Sequence, residues 1–410
     1  MLKNYFKIAI AVLRRRKFFT FISLFGISFT LTILLVLTAF IDKVVGDNYP
    51  DKKRNRSLYV SRISQVGKES TSSGPVSFYF LDHYVRSLKT PVTIAISSGF
   101  SGTNTYVNNK KIAVNYKFTN AEYWDVLEYD FLEGKAFNKQ QVTNAERVAV
   151  ISADMKKEYF GDMSTVIGKY IEADNIKYRV IGVVQNVPIT SYMTYSDIYL
   201  PYTVAKDGAY KTNKGYQANY FGILLANSAG DVDKIHNEYE QMVSRLRPTE
   251  KWATNVYSHA DTYIKAYVDT GDEKHSGTFI AITAISIFAF ILMILPTLNL
   301  VNINITRIME RSSEIGVRKA FGASSRTLVY QFIVENIILT LLGGLIGIIL
   351  SFIVLQVLNS AHLIANLELS INFTVLFIGL LVCLVFGLIS GVYPAWRMSK
   401  LNVVTALKAQ

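Results

Sequence analysis

The sequence predicts an α-helical membrane protein with four transmembrane helices and a large α/β extracytoplasmic domain, a βαβ-like base carrying an inserted, mainly-β subdomain. Three observations carry this. Four apolar runs, at 18–41, 277–301, 328–358 and 373–394, each reach the roughly 20 residues a helix needs to cross a hydrocarbon core of about 30 Å. Between the first two lies a polar stretch, 42–276, long enough to build a core of its own. The charges flanking the runs alternate in a way that fixes orientation.

At 410 residues and 50% hydrophobic, with mean hydropathy +0.24, the chain is too apolar for an ordinary soluble enzyme and too polar to lie wholly in the membrane. A net charge of +12 could suit nucleic acid, but its distribution points elsewhere. Residues 1–41 hold six basic side chains and no acid, and residues 277–410 hold eight against four, which leaves only +2 for 42–276. The positive charge therefore sits beside the spans, where it suits lipid headgroups, and no nucleic-acid partner is expected. Lys and Arg are retained on the cytoplasmic side. The N-terminus, the 302–327 loop and the 395–410 tail are basic, whereas the 359–372 loop has no Lys or Arg. Four spans with both ends inside satisfy every segment and put 42–276 outside the cytoplasm.

Within 1–17, Leu2, Tyr5, Phe6, Ala9, Val12 and Leu13 recur at helical spacing. They read as an amphipathic helix on the inner membrane surface. The alternative is the start of a longer first span. Arg14, Arg15, Arg16 and Lys17 favour a break, because four adjacent charges do not enter hydrocarbon. The 18–41 run is long for a signal peptide, and 37–41 offers no small-x-small cleavage site, so it is expected to remain as a span. The single cysteine, Cys383, lies in the fourth run, so the outer domain must be held by packing without an intrachain disulfide.

In the outer domain, 57–64 and 92–98 read as strands flanking a helix at 77–88, and 71–75 reads as a loop. Residues 231–246 read as an amphipathic helix, with Val232, Ile235, Tyr239, Met242, Val243 and Leu246 on one face. The Asp174-Asn175 pair marks a hairpin between 169–171 and 177–184. Ser152 is placed to cap a helix over 153–160, which Gly161 would end. The pattern divides into a base, 50–120 with 219–275, and an insertion over about 121–218.

Catalytic chemistry is not written in this chain. No Gly-x-x-x-x-Gly-Lys-Ser/Thr phosphate loop occurs, the five histidines lack zinc-like pairing, and no Gly-x-Ser-x-Gly elbow is present. Neither metal nor cofactor is expected here. No charged residue lies near the middle of a span, which argues against proton- or sodium-driven transport. Gly343, Gly344 and Gly347 form a small-residue stripe that lets helix backbones approach closely, either as ordinary span packing or as a contact with a second copy. Pro296 can kink the second span. Glu335 lies near the inner end of the third span and reads as an interfacial structural residue.

The polar loop carries the most specific pattern: Glu310-Arg311-Ser-Ser-Glu314-Ile315-Gly316-Val317-Arg318-Lys319-Ala320-Phe321-Gly322-Ala323. It is followed by Gln331-Phe332 and Glu335, the Gly343-Gly344 and Gly347 stripe, and Gly391-Val-Tyr-Pro394-Ala395-Trp-Arg397. This order resembles the MacB/FtsX-type family of ABC transporter permeases. A second resemblance, to the MacB-type periplasmic core domain, is carried by three groups of residues. They are Phe118-Thr-Asn-Ala-Glu-Tyr-Trp124 with Phe131-Leu-Glu-Gly134, Val148-Ala-Val-Ile151 with Tyr159-Phe-Gly161, and Ile167-Gly-Lys169 with Tyr178-Arg-Val-Ile-Gly182.

The resemblance implies a protein that is not itself an ATPase. It implies a second permease copy, identical or related, and an ATPase that binds ATP and magnesium inside the cell. ATPase closure would pass through the spans to the outer domain. Because a full MacB carries its ATPase on the same chain, here the ATPase is expected to be a separate polypeptide. The loop would be the coupling helix that docks on it. Glu314 and Arg318 share a helical face, Ile315 and Phe321 suit a pocket, Gly316 permits close approach and Gly322 can end the helix. The alternative is a solvated basic loop that obeys the positive-inside rule. The function most implied is efflux or secretion of a peptide, toxin or drug, with a periplasmic adaptor and outer-membrane channel as further partners. Lipoprotein release, or regulation of an envelope hydrolase or sensor without transport, are the alternatives.

Overall fold

The computed structural model describes residues 10–11, 15, 17–46, 48–107, 110–269, 277–288, 290–291, 325–361, 369–371, 373–374, 376–378, 381 and 384–385. The described residues divide into a membrane unit and an outer unit, the latter within Val44–Ile282.

In the membrane unit, helix α1 spans Lys17–Val45. Among the described residues, its Thr20–Lys43 stretch and the Ile337–Ser360 stretch of a later helix are long and apolar enough to cross a membrane. Residues 277–288 are helical too. Much of the expected second and fourth spans, and nearly all of the 1–17 surface helix, lie outside the described residues.

The outer unit is organised on one ten-stranded mixed sheet. Its strands in chain order are β1 (Ser57–Val60), β4 (Thr93–Ser98), β5 (Ser101–Val107), β6 (Lys110–Thr119), β7 (Phe131–Gly134), β8 (Val148–Ser152), β9 (Tyr170–Ala173), β10 (Ile176–Val184), β11 (Ile198–Pro201) and β12 (Tyr220–Leu225). Strands β2 (Arg62–Gly67), β3 (Thr71–Pro75) and β13 (Ala253–Ser258) form a separate three-stranded sheet. The main sheet runs β1-β12-β4-β6-β11-β8-β10-β7, with β5 beside β6 and β9 beside β10. Strand β12 lies antiparallel between β1 and β4, so β1 and β4 run parallel with a helical segment between them in sequence.

The base and insertion segments share this sheet and meet where β11 pairs in parallel with β6. Both faces are covered. Tyr123, Val150, Tyr199 and Ile223 belong to the core on one side; Leu58, Ile96 and Leu224, and farther along Ala149, Ile151 and Leu200, belong to cores on the other. Burial on both faces explains the apolar runs of β8 and β12, which lack strict alternation.

Locally encoded elements appear where their chemistry places them. Ser152 Oγ accepts from the Met155 amide at 3.2 Å and opens a helix over Ala153–Phe160, which stops at Gly161 with φ +68°. Asp174 and Asn175 both adopt positive φ in the β9–β10 turn. The expected 231–246 helix runs Val232–Val243 and buries Ile235, Tyr239 and Val243.

Two readings are corrected. The single strand expected over 57–64 is two strands in different sheets, broken at Ser61. Residues 71–75 are strand β3 and no loop. Their Ser/Thr/Gly composition hides a strand stabilised by its ladder to β2, by Ser64 Oγ bonding Ser73 Oγ at 2.8 Å and by Gln217 Nε2 donating to the Ser72 carbonyl at 3.0 Å. The helix expected at 77–88 winds irregularly, wide over Phe80–Tyr84 and tight over Val85–Ser87.

Candidate functional site

Three arrangements stand out: a helix pair in the membrane unit, and two buried polar clusters in the outer unit.

The helix of Ser325–Ser360 buries Leu339, Gly343, Gly344, Gly347, Ser351 and Leu355. Residues four apart form one ridge of a helix, and the α1 residues Ile27, Leu31, Leu35 and Ala39 are buried at the same spacing. At Gly343 a Cβ would come within 2.8 Å of the Ile27 Cβ, and at Gly347 within 3.0 Å of the Leu31 Cβ and the Ser28 carbonyl. The absence of side chains thus sets the approach distance. Thr32 Oγ1 crosses the gap and donates to the Gly347 carbonyl at 3.2 Å. Gly343 and Gly347 therefore contact the first span of their own chain. On α1, Phe18, Phe21, Phe25 and Phe29 are exposed among the described residues, with Phe25 stacked on Phe29 at 5.5 Å.

The first polar cluster begins one residue past α1. Asp51 and Arg54 pair at 3.0 Å with side chains only 1% and 5% exposed. Arg54 Nη1 donates to the Gly46 carbonyl, and the guanidinium lies 3.6 Å from the centre of the Tyr263 ring. Tyr59 donates its hydroxyl to Asp51 Oδ2 at 2.6 Å. Burial, then the Asp51 charge, raises the Tyr59 phenol well above its ordinary pKa and keeps it a donor. Tyr59 and Asp261 also exchange backbone bonds at 2.7 and 3.0 Å. The segment leaving α1 and the segment over 259–269 thus meet on β1.

The second cluster lies under β6 and β11. Lys117 is fully buried, and its Nζ donates to the carbonyls of Met193 at 2.6 Å and Tyr192 at 3.4 Å. The next carbonyl, Thr194, accepts hydroxyls from Tyr129 at 2.7 Å and Tyr199 at 2.9 Å. Loss of hydration pulls the Lys117 pKa down to about 7.

Of the residues singled out in the sequence, Arg311, Glu314, Ile315, Gly316, Val317, Arg318, Lys319, Ala320, Phe321, Gly322 and Pro296 lie outside the described residues. Sequence reasoning did not single out Arg54, Asp51 or Lys117. The 51–56 stretch looks like a solvated charge run, and Arg54 is buried in part by Tyr263, two hundred residues away. Lys117 falls in an alternating strand whose polar positions look solvent-facing. Among the described residues no cluster of three His, Cys, Asp or Glu could hold a metal ion.

Comparison with known proteins adds the following. Residues 20–242 match the MacB-like periplasmic core domain, and residues 286–403 match the FtsX-like permease C-terminal domain. The macrolide export ATP-binding/permease protein MacB of Acinetobacter baylyi is 26% identical over 330 residues, covering 78% of this chain and 46% of its own length. The Bacillus subtilis ABC transporter permease YknZ, described as uncharacterized, is 28% identical over 293 residues, covering 70% and 68% respectively. The chain spans about half the length of the MacB relatives it matches. The crystal structure of the extracellular domain of YknZ from Gram-positive bacteria aligns over 49% of this chain and 99% of its own, at 16% identity and TM-score 0.35.

Proposed function

Because the chain belongs to the family of ABC transporter permeases with a MacB-like periplasmic core domain and an FtsX-like C-terminal domain, we propose that it converts movement of a separate cytoplasmic ATPase into movement of its outer domain. The observation that supports this most is the junction at Gly46, held by the buried Asp51–Arg54 pair. The polypeptide leaves α1 and is gripped at once by Arg54, whose other contacts reach Tyr263 in the segment over 259–269. A domain held at both connecting segments is suited to being moved as a body.

The cargo class proposed is a small exported compound, peptide or toxin. Relatives include the macrolide export protein of Acinetobacter baylyi and a pyoverdine export ATP-binding/permease protein of Pseudomonas syringae, 28% identical over 289 residues. ATP and magnesium would be held by the ATPase, which would dock on the loop containing Glu314, Gly316 and Arg318. Two copies of the permease would flank the path of motion.

The test is purification of the full chain from its native membrane, wild type and with Glu314→Lys or Gly316→Trp. An ATPase with a phosphate loop should accompany the wild type and be lost from both variants, while the outer domain keeps its protease resistance. Retention of a fully stimulated ATPase by either variant removes the docking assignment. A deletion strain with normal export and drug tolerance but mislocalised lipoproteins would replace export with lipoprotein release.

A further inference from the structure

We infer that Arg54 is a clamp that makes the two membrane-leading segments of the outer domain, 46–56 and 259–269, move as one. Its role in transmission rests on the mechanical function proposed above; the clamp itself rests on geometry. Three parts of the guanidinium meet three different partners. Nη1 holds the carbonyl of Gly46, Nε holds Asp51 at 3.0 Å, and the flat face covers the Tyr263 ring at 3.6 Å. A planar fork can make these contacts together, whereas a lysine ammonium, a point charge on a flexible stem, cannot.

Stability alone does not explain such a choice. A buried ion pair is often no better for stability than apolar groups of the same volume. What it supplies is fixed direction. With the pair nearly sealed from solvent, water has little access to replace a contact that gives way, so displacement of Gly46 draws on Arg54, and Arg54 on Tyr263. The third element is already joined, because Tyr59 bonds Asp51 through its hydroxyl and Asp261 through its backbone. Further ties between β1–β2 and the second segment are the edge-on Tyr59–Tyr263 ring contact at 5.2 Å, Ser61 Oγ to the Ala266 carbonyl at 3.3 Å, and a long, partly exposed Arg62–Asp269 pair at 3.9 Å.

Hydrogen exchange on the full chain in lipid nanodiscs tests this, comparing wild type with Arg54→Lys and Tyr263→Leu. Arg54→Lys should speed exchange by on the order of tenfold, about 1.4 kcal/mol of opening free energy, in peptides from both 46–56 and 259–269. Peptides from β8 and β10 should stay unchanged. A change confined to 46–56 overturns the clamp. Should Arg54→Lys loosen the whole sheet, Tyr263→Leu decides, since it leaves the Asp51 pair in place. Faster exchange in both segments supports the clamp, and faster exchange in 259–269 alone overturns it. Transmission is read in the complex with the copurified ATPase trapped by ADP and orthovanadate. Trapping should alter exchange in both segments of the wild type, and in Arg54→Lys only in 46–56, with ATP hydrolysis retained. An equal response of both segments in that variant overturns transmission through Arg54. A wild type that does not respond to trapping removes the mechanical function and, with it, the transmission role, while the joining of the segments is still decided by the first measurement.

Discussion

Replacing Lys117 with methionine should change how the stability of this protein depends on pH, and the change can be worked out in advance. In the unfolded chain the amine titrates at its ordinary value of 10.5, and in the folded protein burial holds it at about 7. Between those values the unfolded chain binds one proton more than the folded one. Folding therefore releases a proton, and the folded state gains from rising pH by about 1.4 kcal/mol per unit. Across the window the sum is on the order of 5 kcal/mol. Below about pH 7 both states are protonated, and the buried charge exerts its full cost at every pH. The thioether that replaces the amine in Lys117→Met has no proton to lose. It also leaves the Tyr192 and Met193 carbonyls without their donor, a cost of about 1–3 kcal/mol for each, but that cost does not vary with pH. The slope therefore isolates the amine. Urea unfolding of the full chain in detergent, followed by tryptophan fluorescence from pH 6 to 9.5, gives the difference between wild type and Lys117→Met. It should be flat at the acid end and rise in favour of the wild type above about pH 7. A difference that stays constant from pH 7 to 9.5 refutes the reasoning.

Two further outcomes are expected. Asn120 is buried and bridges β4 to the turn after β6, accepting from the Ile96 amide at 3.0 Å and donating to the Ile94 carbonyl at 2.9 Å. The direct ties between β4 and β6 are few: Ser97 pairs with Thr119, and the Phe118 amide donates to Ser98 Oγ at 2.9 Å. Asn120→Ala should cost about 1–3 kcal/mol per orphaned group, seen as a lower urea midpoint; an unchanged midpoint would mean that water takes over both bonds. Gly347→Val forces a side chain against Leu31 and the Ser28 carbonyl. It should cost about 1–3 kcal/mol of helix packing, visible as a lower melting temperature in detergent, and an unshifted melt would show that the two helices part freely.

How far the sequence reveals this fold depends on how local each cause is. Ser152, Gly161 and the Asp174-Asn175 pair act within a few residues, so their helix and hairpin could be read directly. The glycine stripe is local as well, and it marks a close helix contact without naming the helix, which proves to be α1 of the same chain. The break at Ser61 and strand β3 could not be read, because both depend on pairing partners far along the chain, Gly222 for Val60 and Gln217 for the β3 edge. The buried clusters fail for a related reason. Arg54 sits in Asp51-Lys-Lys-Arg-Asn-Arg56, which sequence alone assigns to solvent, and Lys117 occupies the polar phase of an alternating strand. Each becomes an interior group only when a second segment covers it. A signal existed at Lys117: a strand at the middle of a wide sheet has no solvent face. That inference needs the strand order first.

The two backbone bonds between Tyr59 and Asp261 have a consequence for how such a domain can be inherited. They close, within the domain itself, a loop of about two hundred residues, whose closure entropy is on the order of 5 kcal/mol. The helices on either side are therefore not needed to bring the ends together. A domain closed at its own neck can be spliced between two helices of another protein as a cassette, with splice points near 46 and 269. Its interior needs no redesign to suit the new host.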